Sequence, residues 1–163
     1  MIDYRLEGSE QVKEALDGLA DDLRNKAIRA GLVKFAAPVK SAMKSNAPRK
    51  TGALAKAVGH RSISKRDKSA LGIPAENVAI LVGPNRRGGG KRALWQEEGT
   101  SPHIILPRNK GGVLGSLRRV FGKKIKHPGI RPTYFMKRSW ESASPLGYER
   151  FYQGLTNYLA RQK

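Results

Sequence analysis

Two adjacent carboxylates, Glu97 and Glu98, follow Trp95 closely and are of the residue type that performs general acid–base catalysis. Glycosidases need two carboxylates on opposite sides of one bond. Neighbouring residues on a strand or a helix point in different directions, so this pair cannot flank a single substrate bond. We therefore predict one inward-facing and one solvated carboxylate rather than a catalytic pair.

The three histidines, His60, His103 and His127, are far apart in the sequence and lack the spacing of metal ligands. No serine lies in the GxSxG pattern of hydrolases. We therefore predict no catalytic residue, no cofactor site and no metal site. A nuclease that uses scattered carboxylates is an alternative that this pattern leaves open.

The segment 85–92 is rich in glycine and basic residues and resembles a phosphate-binding loop only superficially. Asn85 stands where that loop requires its first glycine, and Arg92 stands where it requires serine or threonine. A basic hairpin tip or arm accounts for the segment better.

The chain has 163 residues and a formal net charge of +19, and residues 61–127 carry +11 of it. Such a distribution favours polyanionic partners: nucleic acid, an acidic protein surface or anionic lipid. The absence of cysteine excludes disulfides and thiolate metal sites. No apolar run approaches the roughly 18 residues of a membrane span, and the start does not resemble a signal peptide, so we expect synthesis in the cytoplasm and no membrane partner.

The elements that must position these residues begin with a short strand at 2–7 and an amphipathic helix after Ser9. The apolar spacing shifts between Leu23 and Ile28, which predicts a turn or kink near Asn25. A long amphipathic helix follows, with Pro38 inside it, and ends before Pro48. We expect a turn at Thr51-Gly52 and a short helix directly after it.

Further along, the pattern predicts strands at 60–65 and 77–82 with a charged loop at 66–74 between them. Residues 101–127 mix apolar and basic side chains and form either a two-stranded extension or a short basic helix. Thr133 can cap a helix, and Pro145 fits the start of a last one. We predict a single domain, 1–163, of the α+β class: N-terminal and C-terminal helices packed on a small antiparallel sheet, with 85–92 and 101–127 as mobile basic arms.

Several short motifs occur in one order along nearly the whole chain. They are Ala47-Pro48-Arg49-Lys50-Thr51-Gly52-Ala53-Leu54, Val82-Gly83-Pro84, Glu98-Gly99-Thr100, His127-Pro128-Gly129 and Arg131-Pro132-Thr133-Tyr134-Phe135. In this order and spacing the chain resembles the tail-completion or head–tail joining proteins of long-tailed bacteriophages and prophages. Segment 101–127 is longer and more basic than the shorter pattern of that family.

The resemblance implies an α+β virion protein without enzymatic activity or cofactor. It implies a homo-oligomeric ring, usually sixfold, at the neck, in contact with the head connector and the tail tube. The charge of the arms would attract DNA in the channel or dock on acidic rims of the adjoining rings. Assembly would take place in the host cytoplasm. The residues expected to hold turns and packing are Pro48, Thr51, Gly52, Leu54, Glu98, Gly99, Thr100, Pro132 and Phe135. The expected contact charges are Arg86, Arg87, Lys91, Arg92, Arg118, Arg119, Lys123 and Lys124. The charge alone also fits a sequence-nonspecific DNA-binding protein.

Overall fold

The computed structural model describes residues 9–85, 89–109, 111–116 and 119–162. The strand predicted at 2–7 lies outside these residues. The helices are α1 (Ser9–Asp17), α2 (Asp21–Asn46), α3 (Ala53–Ala57), α4 (Lys65–Ala70), α5 (Gly90–Glu98) and α6 (Phe135–Ala160). The strands are β1 (Val58–Ser62), β2 (Ile80–Pro84), β3 (His103–Ile105), β4 (Leu114–Ser116), β5 (Arg119–Gly122) and β6 (Ile125–His127).

The described strands form three two-stranded sheets, β1 with β2, β3 with β6 and β4 with β5. The pairs β3–β6 and β4–β5 are antiparallel. Long helices combined with small sheets confirm the predicted α+β class. In the described residues of segment 101–127 the predicted strand pairing forms, as the two pairs β3–β6 and β4–β5, and these residues contain no helix.

The turn or kink predicted near Asn25 is wrong, because the break lies earlier. α1 ends at Asp17 and α2 begins at Asp21. Gly18 weakens the helix at this point, and Asp21 and Asp22 at the new start suit the positive end of the helix dipole. The second helix ends at Asn46, before Ala47 and Pro48, as predicted.

The prediction that Pro145 starts a last helix is also wrong, since Pro145 lies inside the 26-residue helix α6. A proline in a helix interior removes one backbone hydrogen bond. Aromatic side chains before and after it pack on the same ring: Phe35 lies 5.4 Å from Trp140 and 5.1 Å from Tyr148, centroid to centroid. Packing on both sides of the proline explains why the helix continues.

The charged loop predicted at 66–74 contains a helix, α4, at its start. The side chain of Ser64 accepts a hydrogen bond from the backbone N–H of Asp67, 3.1 Å away. A serine followed three residues later by an acidic residue is a helix-start signal, which accounts for a helix within this charged segment.

The chain divides into two compact units, and the four boundaries between them fall within α2, β1, β2 and α6. The first unit comprises Met1–Ala42, Gly59–Gly83 and Trp140–Lys163. Its two long helix segments approach closely through glycines. A Cβ on Gly31 would lie 2.7 Å from the Phe151 ring, and one on Gly154 would lie 2.9 Å from the carbonyl oxygen of Ala30. Side chains larger than hydrogen at these positions would separate the two segments.

The second unit comprises Met43–Val58 and Pro84–Ser139. Its core is a cluster of Ala47, Leu54, Ala93 and Phe135, with Met136 packed against it. Phe135 is fully buried. That the whole chain folds as one domain stays a prediction.

Candidate interaction surface

The segment after α2 brings the first of the expected structural residues into the core of the second unit. Gly52 has a φ of 68°, a left-handed conformation that glycine adopts without steric cost. The hydroxyl of Thr51 accepts a hydrogen bond of 3.4 Å from the N–H of Ala53 at the start of α3. This turn places Leu54 in the cluster with Phe135. Pro48, half-buried, precedes the turn.

A second group of motif residues joins the two ends of the arm, residues 101–127. Thr100 and Ile130 exchange two backbone hydrogen bonds of 2.9 and 3.0 Å. Gly99 has a φ of 76°, and a Cβ there would lie 2.5 Å from the carbonyl oxygen of Ile130 and 3.0 Å from the ring of Pro132. Gly129 has a φ of 85°, and its Cβ would overlap the carbonyl oxygen of Thr100. Both glycines are therefore required for the close approach of the two chain segments.

The carboxylate of Glu97 completes this joint by capping α6. Its two oxygens accept hydrogen bonds from the backbone N–H groups of Met136, at 2.8 Å, and Lys137, at 2.9 Å. These N–H groups have no partner within the helix, and a negative charge here suits the helix dipole. Thr133, predicted as the cap, instead donates its hydroxyl to the carbonyl oxygen of Gln96, 2.6 Å away. We call residues 96–100 and 129–137 the junction.

The structure thus gives the capping role to Glu97, whereas the sequence predicted Thr133 as the cap and named Glu98 among the residues that hold turns and packing. Glu98 is exposed, and Glu97 is half-buried. This matches the prediction of one inward-facing and one solvated carboxylate. With both oxygens of Glu97 engaged in backbone hydrogen bonds and Glu98 exposed, the two carboxylates do not face each other across one site.

At the base of the arm, β3 and β6 bring together two histidines that are 24 residues apart in the sequence. His103 and His127 are directly opposite in the antiparallel register, and their rings stack with centroids 4.9 Å apart. Nδ1 of His127 accepts a hydrogen bond of 3.0 Å from the N–H of Gly129. Sequence spacing carried no signal for this pair, because only the strand register creates it.

The outer part of the arm is the hairpin, which we define as β4 and β5 with the flanking residues 113 and 123–124. Three of its apolar side chains are exposed, Val113 by 58%, Val120 by 69% and Phe121 by 49%, whereas Leu114 is half-buried. The guanidinium of Arg119 lies over the Phe121 ring, 5.6 Å from its centroid, a distance typical of cation–π contacts. Exposed apolar side chains that are neighbours on one surface, unlike apolar residues scattered singly, are typical of a surface that binds a partner.

The expected contact charges lie in two places. Arg119, Lys123 and Lys124 are exposed on the hairpin, whereas Lys91 and Arg92 are exposed in the first turn of α5 rather than on a hairpin tip. Cations near a helix N-terminus are unfavourable for the helix dipole, so local helix stability does not explain Lys91 and Arg92. Arg86, Arg87 and Arg118 lie outside the described residues.

The first unit contains an open groove of about 740 Å³ between α1, the start of α2 and residues 76–78. Leu16, Ile28 and Val78 supply its apolar side chains, and it is also lined by Lys13, Asp17, Asp21, Arg24, Asn25, Glu76 and Asn77. Asp21 forms an ion pair with Arg24. Nearby, the carboxylate of Asp22 accepts a hydrogen bond from Lys26 and raises the pKa of that lysine.

The described part of the chain contains no group of three or more histidine or acidic side chains that could hold a metal ion. None of the helices in the described ranges combines the length and the apolar character that a membrane crossing requires.

Comparison with known proteins gives one informative result. The model of the family described as "Bacteriophage HK97-gp10, putative tail-component" matches residues 10–99, more than half of the chain. Comparisons with curated proteins and with solved structures give no match. The matched residues run from α1 through α5 to the start of the junction, so the arm and α6 lie beyond them. The chain belongs to the HK97-gp10-like family of bacteriophage tail components.

Proposed function

We propose that this protein is a structural subunit that forms a ring at the head–tail interface of a phage particle and completes or joins the tail. The observation that carries the proposal is the family match over residues 10–99, combined with an exposed apolar and basic hairpin outside the matched region. The partners we propose are further copies of the chain, the head connector and the tail tube. The protein would assemble in the host cytoplasm and remain in the virion, without an enzymatic role.

The physical support comes from the contrast within the second unit. The junction holds the two ends of the arm together through backbone hydrogen bonds, so the direction in which the arm leaves the unit is restricted. A two-stranded hairpin is only marginally stable in water by itself. A ring in which each hairpin packs on a neighbour would cover its apolar residues and would repeat the same contact around a closed circle.

The test is to purify the full-length chain and to incubate it with isolated tail tubes and with head connectors of the same phage. Mass measurement and electron microscopy should show a closed ring, sixfold in our proposal, bound at one end of the tube or on the connector. A protein that neither forms rings nor binds either assembly would contradict the proposed function.

A sequence-nonspecific DNA contact is the second candidate, favoured by the net charge of +19 and by the absence of any acidic residue between Glu98 and Glu141. Contacts of lysine and arginine with phosphates release counterions, so DNA affinity would fall steeply between about 50 and about 200 mM salt. Replacing Lys123 and Lys124 by glutamine should reduce the slope of log affinity against log salt by roughly one for each lost phosphate contact. Affinity that does not change with salt would exclude this candidate.

A further inference from the structure

The charges of this chain are segregated by sign. Seven of its 13 acidic residues lie within the first 22 positions, whereas the 42 residues from Gly99 to Trp140 contain ten lysines and arginines and no acidic residue. Within the described part, Glu10, Glu14 and Asp17 are exposed on α1. A chain with a strongly basic segment and a separate acidic segment can bind a second copy of itself head to tail.

The basic element of this pair is the hairpin. Val120 and Phe121 are exposed, and Arg119, Lys123 and Lys124 are exposed beside them. Gly115 faces Val120 across the sheet, and a Cβ at Gly115 would lie 3.1 Å from the carbonyl oxygen of Arg119. The two strands therefore approach closely at this point, and the facing glycine offers Val120 no side chain to pack against.

The carboxylates of this pair come from the groove of the first unit, which is lined by three acidic and two basic side chains, Asp17, Asp21 and Glu76 with Lys13 and Arg24. Its apolar side chains, among them Leu16 and Val78, are only half-buried. Asp17 and Glu76 are exposed in its lining, and neither belongs to an ion pair with another described residue. The groove therefore offers apolar surface together with two carboxylates that form no ion pair within the described part of the chain.

We propose that the hairpin of one copy docks into this groove of the next copy, with Val120 and Phe121 against the apolar side chains and Lys123 and Lys124 near Asp17 and Glu76. The proposal rests on the ring proposed above and specifies its contact. The hairpin and the groove are different surfaces, so the contact is heterologous and leaves one hairpin and one groove free on every open assembly. Closure of the ring uses both.

The exposed apolar residues favour a protein occupant over DNA for the hairpin. Phosphate contacts need only cations and hydrogen-bond donors, and they leave Val113, Val120 and Phe121 in water. The central part of a protein interface is instead enriched in apolar and aromatic side chains, with arginine among them. Docking on a second copy would bury these residues and pair the lysines at the same time.

Engineered cysteines provide a direct test, since the chain has none of its own. One full-length variant carries Val120→Cys and a second carries Val78→Cys in the groove; the two are mixed under mild oxidation. The matched control replaces Val78→Cys by Leu71→Cys, a position in the same unit that does not line the groove and is 61% exposed. We expect a disulfide-linked heterodimer at least about ten times more abundant with Val78→Cys than with the more accessible control.

Charge reversal tests the same contact without cysteines. Lys123→Glu combined with Lys124→Glu should weaken self-association at least about tenfold, because like charges would then face each other. Adding Asp17→Lys and Glu76→Lys to the same chain should restore it. The control is Lys65→Glu with Arg66→Glu, two exposed basic residues on α4, which should leave self-association unchanged. Circular dichroism spectra of all variants should match that of the wild type.

The outcomes separate the contact from the proposed function. Heterodimer yields that equal those of the Leu71→Cys control overturn the docking proposal. The proposal is also overturned if charge reversal at Lys123 and Lys124 abolishes DNA binding while the disulfide yield stays at the level of that control. If the protein forms rings or binds tails but the hairpin–groove disulfide does not form, the proposed contact is rejected and the proposed function is retained. Failure of the wild type to bind tubes or connectors would instead remove the function.

Discussion

The junction and the hairpin lie in the same unit, a few residues apart in the sequence, and they use their side chains in opposite ways. The junction buries Phe135 and satisfies the first N–H groups of α6 with Glu97. The hairpin exposes Val120 and Phe121 and surrounds them with cations. The comparison separates two kinds of sequence signal: residues with strict steric roles hold the fold, and charged residues beside exposed apolar ones indicate a partner.

The largest difference should appear between two phenylalanines. Phe135→Ala removes a fully buried ring from the core of the second unit and should lower the free energy of unfolding by about 3–5 kcal/mol. Phe121→Ala in the hairpin removes a half-exposed ring and should cost less than about 1 kcal/mol. Urea unfolding of both variants, followed by circular dichroism, measures this contrast, and equal losses would show that the hairpin is part of the folded core.

The next contrast compares two glycines with positive φ. Gly129→Ala would combine left-handed backbone strain with overlap on the Thr100 carbonyl oxygen, for a total of about 3 kcal/mol. Gly111→Ala, at a φ of 80° with open space around it, should cost only the strain, about 1–2 kcal/mol. Thermal unfolding of the two variants distinguishes these values. A Gly129→Ala variant as stable as Gly111→Ala would contradict the close approach at the base of the arm.

A smaller effect is expected from the two adjacent glutamates. Glu97→Ala removes the acceptor of the Met136 and Lys137 N–H groups and should cost about 1 kcal/mol, as for other lost helix caps. Glu98→Ala at the neighbouring exposed position should change stability by less than about 0.5 kcal/mol. Parallel denaturant titrations of the two variants measure the two losses in free energy of unfolding. A larger loss for Glu98→Ala than for Glu97→Ala would assign the structural role to Glu98.

The smallest effect on folding belongs to the hairpin cations. Lys123→Gln with Lys124→Gln should alter the free energy of unfolding by less than about 0.5 kcal/mol, because both residues are exposed. The same variant should nevertheless bind its partners less tightly at low salt, by loss of electrostatic attraction. Chemical unfolding and sedimentation at two salt concentrations test the two halves of this prediction. Substantial loss of stability would show that these lysines stabilise the fold, as the junction residues do.

The sequence predicted some elements well because their causes are local. The end of α2 before Pro48 and the turn at Gly52 follow from proline and glycine stereochemistry, and the structure has both. The expectations around Asn25 and Pro145 failed for different reasons. A glycine break at Gly18 outweighed the shift in apolar spacing, and aromatic packing with Phe35 outweighed the hydrogen bond that Pro145 removes.

The candidate interaction surface likewise contains residues that the sequence predicted and residues that it did not. Sequence reasoning selected Gly99, Thr100 and Phe135, and the structure brings them into the junction. It missed Glu97, because two adjacent glutamates look alike until the position of α6 is known. It also treated His103 and His127 as unrelated, since their contact depends on the register of β3 and β6.

The amino-acid sequence by itself determined the helix and turn propensities, the segregation of acidic from basic residues, and the glycines that only certain backbone geometries require. Each of these depends on a residue and its near neighbours. The tertiary structure alone decided which glutamate caps α6, which histidines meet, and which apolar side chains of the arm remain in water. Those outcomes depend on contacts between segments far apart in the chain, and no local pattern encodes the packing energy that selects them.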